Sequence, residues 1–265
     1  EPQHVKQGKI TLPLLDAMGI RHEILSQDET EFRSQLDGAV RHMSETGEAF
    51  AFIVRKDTFE PYTLQRHEVN EYPLSREEAI QKVAASLSAK DVIVSTTGMI
   101  SRELFEYRTA QGQGHERDFL TVGSMGHASQ IALGIALEKT DRRVWCFDGD
   151  GAALMHLGSV AIIADKAPEN FVHVIFNNGA HDSVGGQPTV GLKVNLAGIA
   201  KAAGYKDAVS VTTAEDLGSA LKVLKTMRGP VLLEVRVHRG NRKDLGRPTT
   251  TPIQNRDALM EFMGQ

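Results

Sequence analysis

Short apolar runs rich in Val, Ile and Phe alternate along this sequence with longer segments in which apolar residues recur at helical spacing. This alternation is typical of repeated strand–helix units, whose strands pair in parallel because each helix carries the chain back across the sheet. We therefore predict an α/β fold built on a doubly wound, mostly parallel sheet. The predicted strands of this sheet are 92–95, 144–147, 172–176, 209–211 and 231–237, and the predicted helices lie near 100–107, 126–138, 153–165, 195–203 and 214–227.

The pattern is interrupted by a polar stretch with two prolines between residues 56 and 73. This stretch shows neither the strand-like run nor the helical spacing of apolar residues, and this loss together with the prolines indicates a linker. Residues 1–73 are therefore predicted to be part of a smaller α/β domain plus this linker, with helices near 10–18 and 29–44 and strands near 22–25 and 49–55. Residues 74–265 are predicted to form the larger domain, which opens with Ser75 and Glu78 at the spacing of a helix capping box.

Composition and charge narrow the class of partner. The 265 residues are 41% hydrophobic and carry a formal net charge of -4 without long runs of one sign, so no broad field attracts nucleic acid or an anionic membrane. Apolar runs stay far below the roughly 18 residues of a membrane span. The single cysteine, Cys146, lies in an apolar run and cannot form an internal disulfide, which favours a reducing compartment. We expect a cytoplasmic protein that acts on small molecules.

The turn after the predicted strand 144–147 has the chemistry of an anion site. Gly149 and Gly151 let the main chain turn sharply, and Ala152 follows at the start of a helix, where backbone amides and the helix dipole favour an anion such as a diphosphate. Asp150, between the glycines, would repel phosphate oxygens unless a hard cation such as Mg²⁺ lay between them. A plain glycine turn with a solvated aspartate is the alternative for these residues alone.

The next predicted strand, 172–176, ends in Asn177 and Asn178, followed by Gly179. In a doubly wound sheet both turns lie at the carboxyl ends of the strands, where ligands bind. An asparagine oxygen suits Mg²⁺ without adding charge, and a distorted loop after it can offer a backbone carbonyl as a further ligand. The two turns are therefore predicted to share one cation.

The sequence contains Gly-Asp-Gly at 149–151, followed after 25 residues by Asn-Asn at 177–178. This pattern resembles the cofactor motif of the thiamine diphosphate-dependent enzymes. The resemblance implies that Asp150 and Asn178 bind Mg²⁺ through their side chains and Ala180 through its carbonyl oxygen. The backbone positions that it implies at the diphosphate are Gly149, Gly151 and Ala152.

Two further turns resemble loops of the same family. Segment 121–126 resembles the turn that holds the aminopyrimidine, in which Gly123 would accept a hydrogen bond from the 4'-amino group. Met125, after Ser124, would prop the cofactor in a bent conformation, a task that suits a bulky and adaptable apolar side chain. Segment 95–101 resembles a loop on the diphosphate side, where the implied contacts are Gly98 and a nearby hydroxyl such as that of Ser101.

Segments 177–189, 120–127, 243–248 and 1–4 together resemble the phosphonopyruvate decarboxylases over nearly the whole chain. The resemblance implies conversion of 3-phosphonopyruvate to phosphonoacetaldehyde and CO₂, with thiamine diphosphate and Mg²⁺ as cofactors. His181 and Asp182 are candidate proton donors or substrate contacts, with loop hydrogen bonding as the alternative role. The candidate phosphonate-binding cations, for which a solvated basic segment is the alternative, are Arg239, Arg242, Lys243 and Arg247.

In this family a glutamate from a pyrimidine-binding domain activates the cofactor. Residues 1–73 resemble only the C-terminal part of that domain, and the sequence offers no counterpart of the glutamate. We therefore expect that the chain is truncated or that the rest of this domain is supplied separately, and that the chain alone has little activity. Because active sites of the family usually lie between subunits, we also expect a homo-oligomer.

Two kinds of alternative function stay open at this point. The first is another thiamine diphosphate-dependent enzyme of 2-oxo acids, such as sulfopyruvate decarboxylase or acetolactate synthase. The second, from a different class, is a noncatalytic nucleotide-binding or subunit-interaction module, which the missing glutamate favours.

Overall fold

The structure, a computed structural model, describes residues 2–62 and 71–264. The chain forms two compact units that divide between residues 67 and 68. Residue 1 and residues 63–70, which belong to the opening tetrapeptide and to the predicted linker, lie outside the described residues. Among the described residues, every helix is too short or too polar to cross a bilayer.

The described residues of the smaller unit form two helices and two strands. The helices are α1 (Pro2–Ala17) and α2 (Glu29–Thr46), and the strands are β1 (Arg21–Ile24) and β2 (Phe50–Ile53). The strands pair in parallel, since α2 lies between them in the chain and allows the crossover. Asp28 caps α2 by accepting a hydrogen bond from the backbone N–H of Glu31.

The larger unit is built from eight strands and eight helices among the residues that the structure describes. The strands are β3 (Val92–Ser95), β4 (Asp118–Leu120), β5 (Val144–Gly149), β6 (Phe171–Asn177), β7 (Ala180–His181), β8 (Gln187–Pro188), β9 (Asp207–Val211) and β10 (Val231–Arg236). The helices are α3 (Arg76–Ser86), α4 (Met99–Ala110), α5 (Ala128–Glu138), α6 (Asp150–Met155), α7 (Ser159–Lys166), α8 (Leu196–Ala203), α9 (Ala214–Leu224) and α10 (Pro252–Gly264).

Six of these strands form one parallel sheet in the order β4-β3-β5-β6-β10-β9. The chain moves outward from β3 to β4 and then returns to the other side of β3 to form β5. The order of winding therefore reverses between β3 and β5, and the turns after these strands open at this switch point, where doubly wound sheets bind ligands. The predicted α/β fold is confirmed.

Helices cover both faces of the sheet. On one face, Leu104 of α4 and Leu217 of α9 are fully buried in a cluster with Phe147 of β5. On the other face, Ala132 of α5 and Ile163 of α7 are equally buried beside other strand residues. Strands covered on both sides become almost continuously apolar, which explains why the sequence predicts them well. The capping box is also confirmed, because Ser75 and Glu78 each bond the other's backbone N–H.

Some elements differ from the prediction. The helix expected over 153–165 is two helices, of which α6 begins at Asp150. Strand β4 was not predicted, because its buried Asp118 breaks the apolar pattern and pairs with Arg108 at 2.8 Å. Helix α10 was not predicted either. It docks on β4 through a polar residue, since Asn255 accepts from the Leu120 N–H and donates to the Asp118 carbonyl.

A polar group lies inside the face covered by α5, α7 and α8. His173 lies 3.3 Å from Asp148 and 3.4 Å from the hydroxyl of Tyr205, all buried. Cys146 is buried beside them as a free thiol, and burial, with Asp148 nearby, raises its pKa well above the ordinary value.

Candidate functional site

A cavity opens at the carboxyl ends of β3, β5 and β6. Many of the residues singled out from the sequence line it. Those residues are Met125, Gly149, Asp150, Gly151, Ala152, Asn178, Ala180, His181 and Asp182. The parallel register explains this convergence, because Gly149 pairs with Phe176 and the residues after each then leave neighbouring strands at the same edge.

Asp150 is the buried carboxylate of this cavity, with a relative exposure of 1%. Burial raises its pKa above the ordinary value, while hydrogen bonds from the Thr189 hydroxyl and the Asn178 backbone lower it in part. A carboxylate that is costly to ionise in this place gains from a bound cation, which stabilises the charged form. The geometry of Asp150 therefore fits a metal ligand better than it fits a solvated turn residue.

Asn178 and Ala180 supply oxygen atoms beside Asp150. The Asn178 Oδ1 atom accepts a hydrogen bond of 3.0 Å from the Ala180 N–H, so the amide oxygen faces the start of this loop. Ala180 lies in the short hairpin β7–β8 opposite Pro188, which has no N–H to donate to the Ala180 carbonyl. Carboxylate, amide and carbonyl oxygens together form the hard donor set that Mg²⁺ prefers. The residues at this edge therefore fit such an ion.

Gly151 brings the cavity wall close to the main chain. A Cβ atom at this position would lie 2.4 Å from the His181 ring and 3.2 Å from the Met125 side chain. His181 and Met125 therefore lie against the Gly151 backbone, His181 in β7 and Met125 on the turn before α5. Their position suits contacts to a ligand whose phosphate end rests on that backbone.

Asp182 is held in place by hydrogen bonds. Its Oδ2 atom accepts from the Asn178 Nδ2 atom at 2.6 Å, from the Arg76 Nη1 atom at 2.9 Å and from the Gly240 N–H at 3.0 Å. Three hydrogen bonds to one oxygen fix the orientation of the Asp182 side chain. These contacts are of the kind expected for loop hydrogen bonding, the alternative role of Asp182.

Four predicted cofactor residues do not line the cavity. Ser101 is buried, and its hydroxyl donates to the Thr96 carbonyl at 2.6 Å. Gly98 has a φ of +99° and would meet the Ser183 side chain at 3.0 Å if it carried a Cβ, so this turn requires glycine. The Gly123 N–H donates to the Thr97 hydroxyl at 3.2 Å. Ser124 follows Gly123 with a φ of +46°.

Several residues that line the cavity were not predicted from the sequence. Thr96 and Thr97 belong to the loop after β3, and the buried Thr96 hydroxyl has no hydrogen-bond partner among the residues that the structure describes. A buried hydroxyl in that state is satisfied by a ligand or water in the cavity. Arg76 could not be recognised from the sequence as a cavity residue, because a charged residue in the first turn of a helix normally faces solvent.

The cations proposed for the phosphonate are not among the cavity-lining residues. Arg239 donates to the Gly179 carbonyl at 3.0 Å and so stabilises the turn between β6 and β7. Arg242 pairs with Glu77 at 3.0 Å and with Asp244 at 3.2 Å. Lys243 and Arg247 are exposed. The lining cation is Arg76, whose charge is offset by Glu103 and Asp182.

Comparisons with known proteins agree with this site. Residues 96–235 match the family described as the thiamine pyrophosphate enzyme, C-terminal TPP binding domain. The match covers every residue of the two cofactor turns after β5 and β6.

Two curated relatives and one solved structure define the likeness further. Phosphonopyruvate decarboxylase from Streptomyces viridochromogenes is 32% identical over 96% of this chain and 66% of its own length. Sulfopyruvate decarboxylase subunit beta from Methanocaldococcus jannaschii is 39% identical over 57% of this chain and 77% of its own. Benzoylformate decarboxylase from Polynucleobacter necessarius shares the fold with a TM-score of 0.54 and 17% identity, covering 73% of this chain and 38% of its own.

The chain spans about two thirds of the length of the phosphonopyruvate decarboxylase that it matches. The family match nevertheless includes more than half of the chain, and the two curated relatives described above are decarboxylases. The chain therefore belongs to the thiamine pyrophosphate enzymes and is a homologue of the phosphonopyruvate decarboxylases over nearly its whole length.

Proposed function

We propose that this chain carries the thiamine diphosphate- and Mg²⁺-binding part of a decarboxylase that converts 3-phosphonopyruvate to phosphonoacetaldehyde and CO₂. The observation that carries the proposal is the convergence of Asp150, Asn178 and Ala180 on one cavity in a chain homologous to phosphonopyruvate decarboxylases. When bound, thiamine diphosphate supplies the nucleophilic carbon and the electron sink that decarboxylation requires.

The residues of this chain would bind and orient that cofactor. Asp150, Asn178 and the Ala180 carbonyl would hold Mg²⁺, which neutralises the diphosphate charge beside the buried carboxylate. The backbone at Gly151 would approach the diphosphate closely, since no side chain stands in the way. Met125 and His181, which lie against Gly151, would then contact the ring end of the cofactor and the reacting centre.

Calorimetric titration tests the cofactor part of the proposal. We expect thiamine diphosphate to bind only when Mg²⁺ is present, and Asp150→Ala to abolish that binding while the chain stays folded. The matched control is Asp165→Ala, because the Asp165 side chain is 71% exposed on α7 and should bind like the parent. Equal binding with and without Mg²⁺, or binding of adenine nucleotides instead, would favour the noncatalytic module.

A second candidate function is decarboxylation of sulfopyruvate. It is favoured by the higher identity, 39%, to the sulfopyruvate decarboxylase subunit, although that likeness covers only 57% of the chain. The two substrates differ in the charge of the terminal group, a phosphonate dianion or a sulfonate monoanion. Product analysis with phosphonopyruvate, sulfopyruvate and pyruvate separates the candidates: a preference for sulfopyruvate in kcat/KM would exclude the first.

The assembly and location are also part of the proposal. Because active sites of this family usually lie between subunits, we propose that a second subunit completes the site in a homo-oligomer. One relative of this chain is the beta subunit of a sulfopyruvate decarboxylase, which supports a separate partner subunit. A reducing, cytoplasmic location is supported by the free buried thiol of Cys146.

A further inference from the structure

Polar side chains meet inside the face of the sheet that α5, α7 and α8 cover. Cys146 and Asp148 lie two residues apart on β5 and so point to the same side, and His173 pairs with Cys146 on β6. We call these residues the Cys146–Asp148–His173 cluster. Tyr205, between α8 and β9, lies against it. The cluster residues are at most 1% exposed, and Tyr205 is 5% exposed.

The cluster presents three atoms of the kinds that bind transition metals. The Cys146 Sγ atom, an Asp148 carboxylate oxygen and a His173 ring nitrogen lie within 4.8 Å of one another. Tetrahedral Zn²⁺ holds such ligands at about 2.0–2.3 Å, which places them roughly 3.4–3.6 Å apart. The His173 Nε2 atom is already 3.3 Å from the Asp148 Oδ2 atom. A movement of about 1 Å by the thiol, within the range of a side-chain rotation, therefore completes the ligand set.

Asp148 is the member of the cluster whose bonding is incomplete. Its Oδ1 atom is buried and has no hydrogen-bond partner among the residues that the structure describes. A buried carboxylate oxygen without a donor is costly, because the hydration that it loses on folding is not replaced. A cation in the cluster supplies the missing interaction, since both Asp148 oxygens can then bind it.

The charges of the cluster balance around a divalent ion. A metal ion deprotonates the thiol that coordinates it, so the Cys146 proton is released to solvent on binding. Thiolate and carboxylate then carry two negative charges, and His173 binds as the neutral imidazole. One Zn²⁺ therefore leaves the group without net charge, which suits a face that is otherwise lined by apolar residues such as Ile163 and Leu232.

Tyr205 suits the role of a partner to a metal-binding histidine. Its hydroxyl lies 3.4 Å from the His173 Nδ1 atom, and a hydroxyl can either donate to a ring nitrogen or accept from its N–H. When Nε2 binds a metal, the imidazole proton lies on Nδ1 and is donated to the Tyr205 oxygen. Metal-binding histidines almost always have such an acceptor, which fixes the orientation of the ring.

We propose that Cys146, Asp148 and His173 form a structural Zn²⁺ site that joins β5 to β6, with Tyr205 orienting the His173 ring. The three ligands are not among the residues that line the cavity around Asp150, so this site is separate from the proposed Mg²⁺ site. Thiolate and imidazole ligands select Zn²⁺, whereas Mg²⁺ prefers oxygen ligands. Because the ligands are buried, the ion enters as the chain folds, and it stabilises the sheet without taking part in the reaction.

Refolding with Co²⁺, a spectroscopic substitute for Zn²⁺, tests the site. A thiolate bound to Co²⁺ absorbs in the near ultraviolet, and Cys146 is the single cysteine of the chain. The 265-residue chain is unfolded in denaturant with a chelator, refolded with Co²⁺ and dialysed. We expect about one Co²⁺ per chain and a thiolate band, which excess Zn²⁺ removes when it is present during refolding. Cys146→Ser should lose both the band and the ion, and Tyr205→Phe should keep the band but bind Co²⁺ about 10- to 100-fold more weakly in competition with a chelator.

Two controls alter carboxylates outside the cluster. Asp150→Ala changes the proposed Mg²⁺ site and should keep the thiolate band. Asp91→Asn is matched for lost stability, because Asp91 is a buried carboxylate that accepts a hydrogen bond from Trp145 on the opposite face of the sheet. It should lower the temperature of thermal denaturation and still retain about one Co²⁺ with its thiolate band.

The thiolate band of the parent decides the question even where a variant does not refold, because only Cys146 can produce it. A parent chain that retains no Co²⁺, or that retains Co²⁺ without the band, would overturn the proposal, and a buried water would then be the partner of Asp148. Loss of the band in Asp91→Asn or Asp150→Ala would overturn it as well, since retention of the ion would then follow overall stability or the cavity.

Discussion

Gly191 lies where a single methyl group would disturb the proposed metal site without removing any of its proposed ligands. A Cβ atom at this position would lie 2.4 Å from the Asp150 Oδ2 atom, 2.7 Å from the Asp150 Cβ atom and 2.8 Å from the Asn177 Oδ1 atom. Asp150 cannot swing away freely, because its Cβ atom is fixed by the main chain at the junction of β5 and α6. The prediction is that Gly191→Ala displaces the Asp150 carboxylate.

The size of the displacement follows from the contact distances. Ordinary van der Waals contact begins near 3.4 Å, so the Cβ–Cβ distance of 2.7 Å requires a shift of about 0.7 Å. Metal–ligand distances tolerate about 0.2 Å, and Mg²⁺ demands near-ideal octahedral geometry. We therefore expect the Mg²⁺-dependent affinity for thiamine diphosphate to fall by about 10-fold or more, with an overpacking cost of about 1–3 kcal/mol in the free energy of unfolding.

Calorimetric titration with thiamine diphosphate and Mg²⁺, together with urea denaturation, measures both effects. Gly134→Ala is the control, since Gly134 lies exposed on α5 with open space around its Cβ position. That variant should bind like the parent and gain up to about 1 kcal/mol in stability. Parental cofactor affinity in Gly191→Ala would refute the assignment of Asp150 as a metal ligand in a rigid site.

Three further changes test other parts of the structure. Ser75→Ala should lower the free energy of unfolding by about 1 kcal/mol, because it removes the capping box. The cap lowers the pKa of Glu78 from its ordinary 4.5, so the difference from the parent in urea denaturation should be present above pH 4.5 and shrink as the pH falls through the lowered pKa. A difference that stays constant with pH would contradict this. Cys146, buried and with a raised pKa, should react with a thiol reagent only as fast as the chain unfolds, and rapid labelling of the native protein would count against its burial. Asn255→Ala should cost about 1–3 kcal/mol, because the buried Leu120 N–H loses its acceptor, and a neutral result by urea denaturation would show that α10 docks in another way.

The sequence predicts the sheet of the larger unit well for a physical reason. Its strands β5, β6 and β10 are buried on both faces, so their apolar runs are almost unbroken and stand out from the helical segments between them. Strand β4 and helix α10 are different, because polar residues hold them together. Asn255 and the buried pair of Arg108 and Asp118 stabilise this edge, and such residues look like surface residues in a sequence.

The residues of the candidate site also differ in how well the sequence predicts their positions. The convergence of Asp150, Asn178 and Ala180 on one cavity could be predicted, because these residues follow two strands that are neighbours in a parallel sheet. Arg76 could not be predicted, because its contact with Asp182 joins residues that are 106 positions apart. Gly191 was missed for a similar reason, since its closeness to Asp150 depends on how the chain returns after β8.

The most direct measurement of the central claim is a crystal structure of the chain with Mn²⁺ and thiamine diphosphate, with anomalous diffraction to locate the metal. The account predicts one anomalous peak within coordination distance of the Asp150 carboxylate, the Asn178 side-chain oxygen and the Ala180 carbonyl, with the diphosphate completing the coordination. A metal bound elsewhere, or a cofactor bound in this cavity while Asp150 and Asn178 contact no ion, would contradict it.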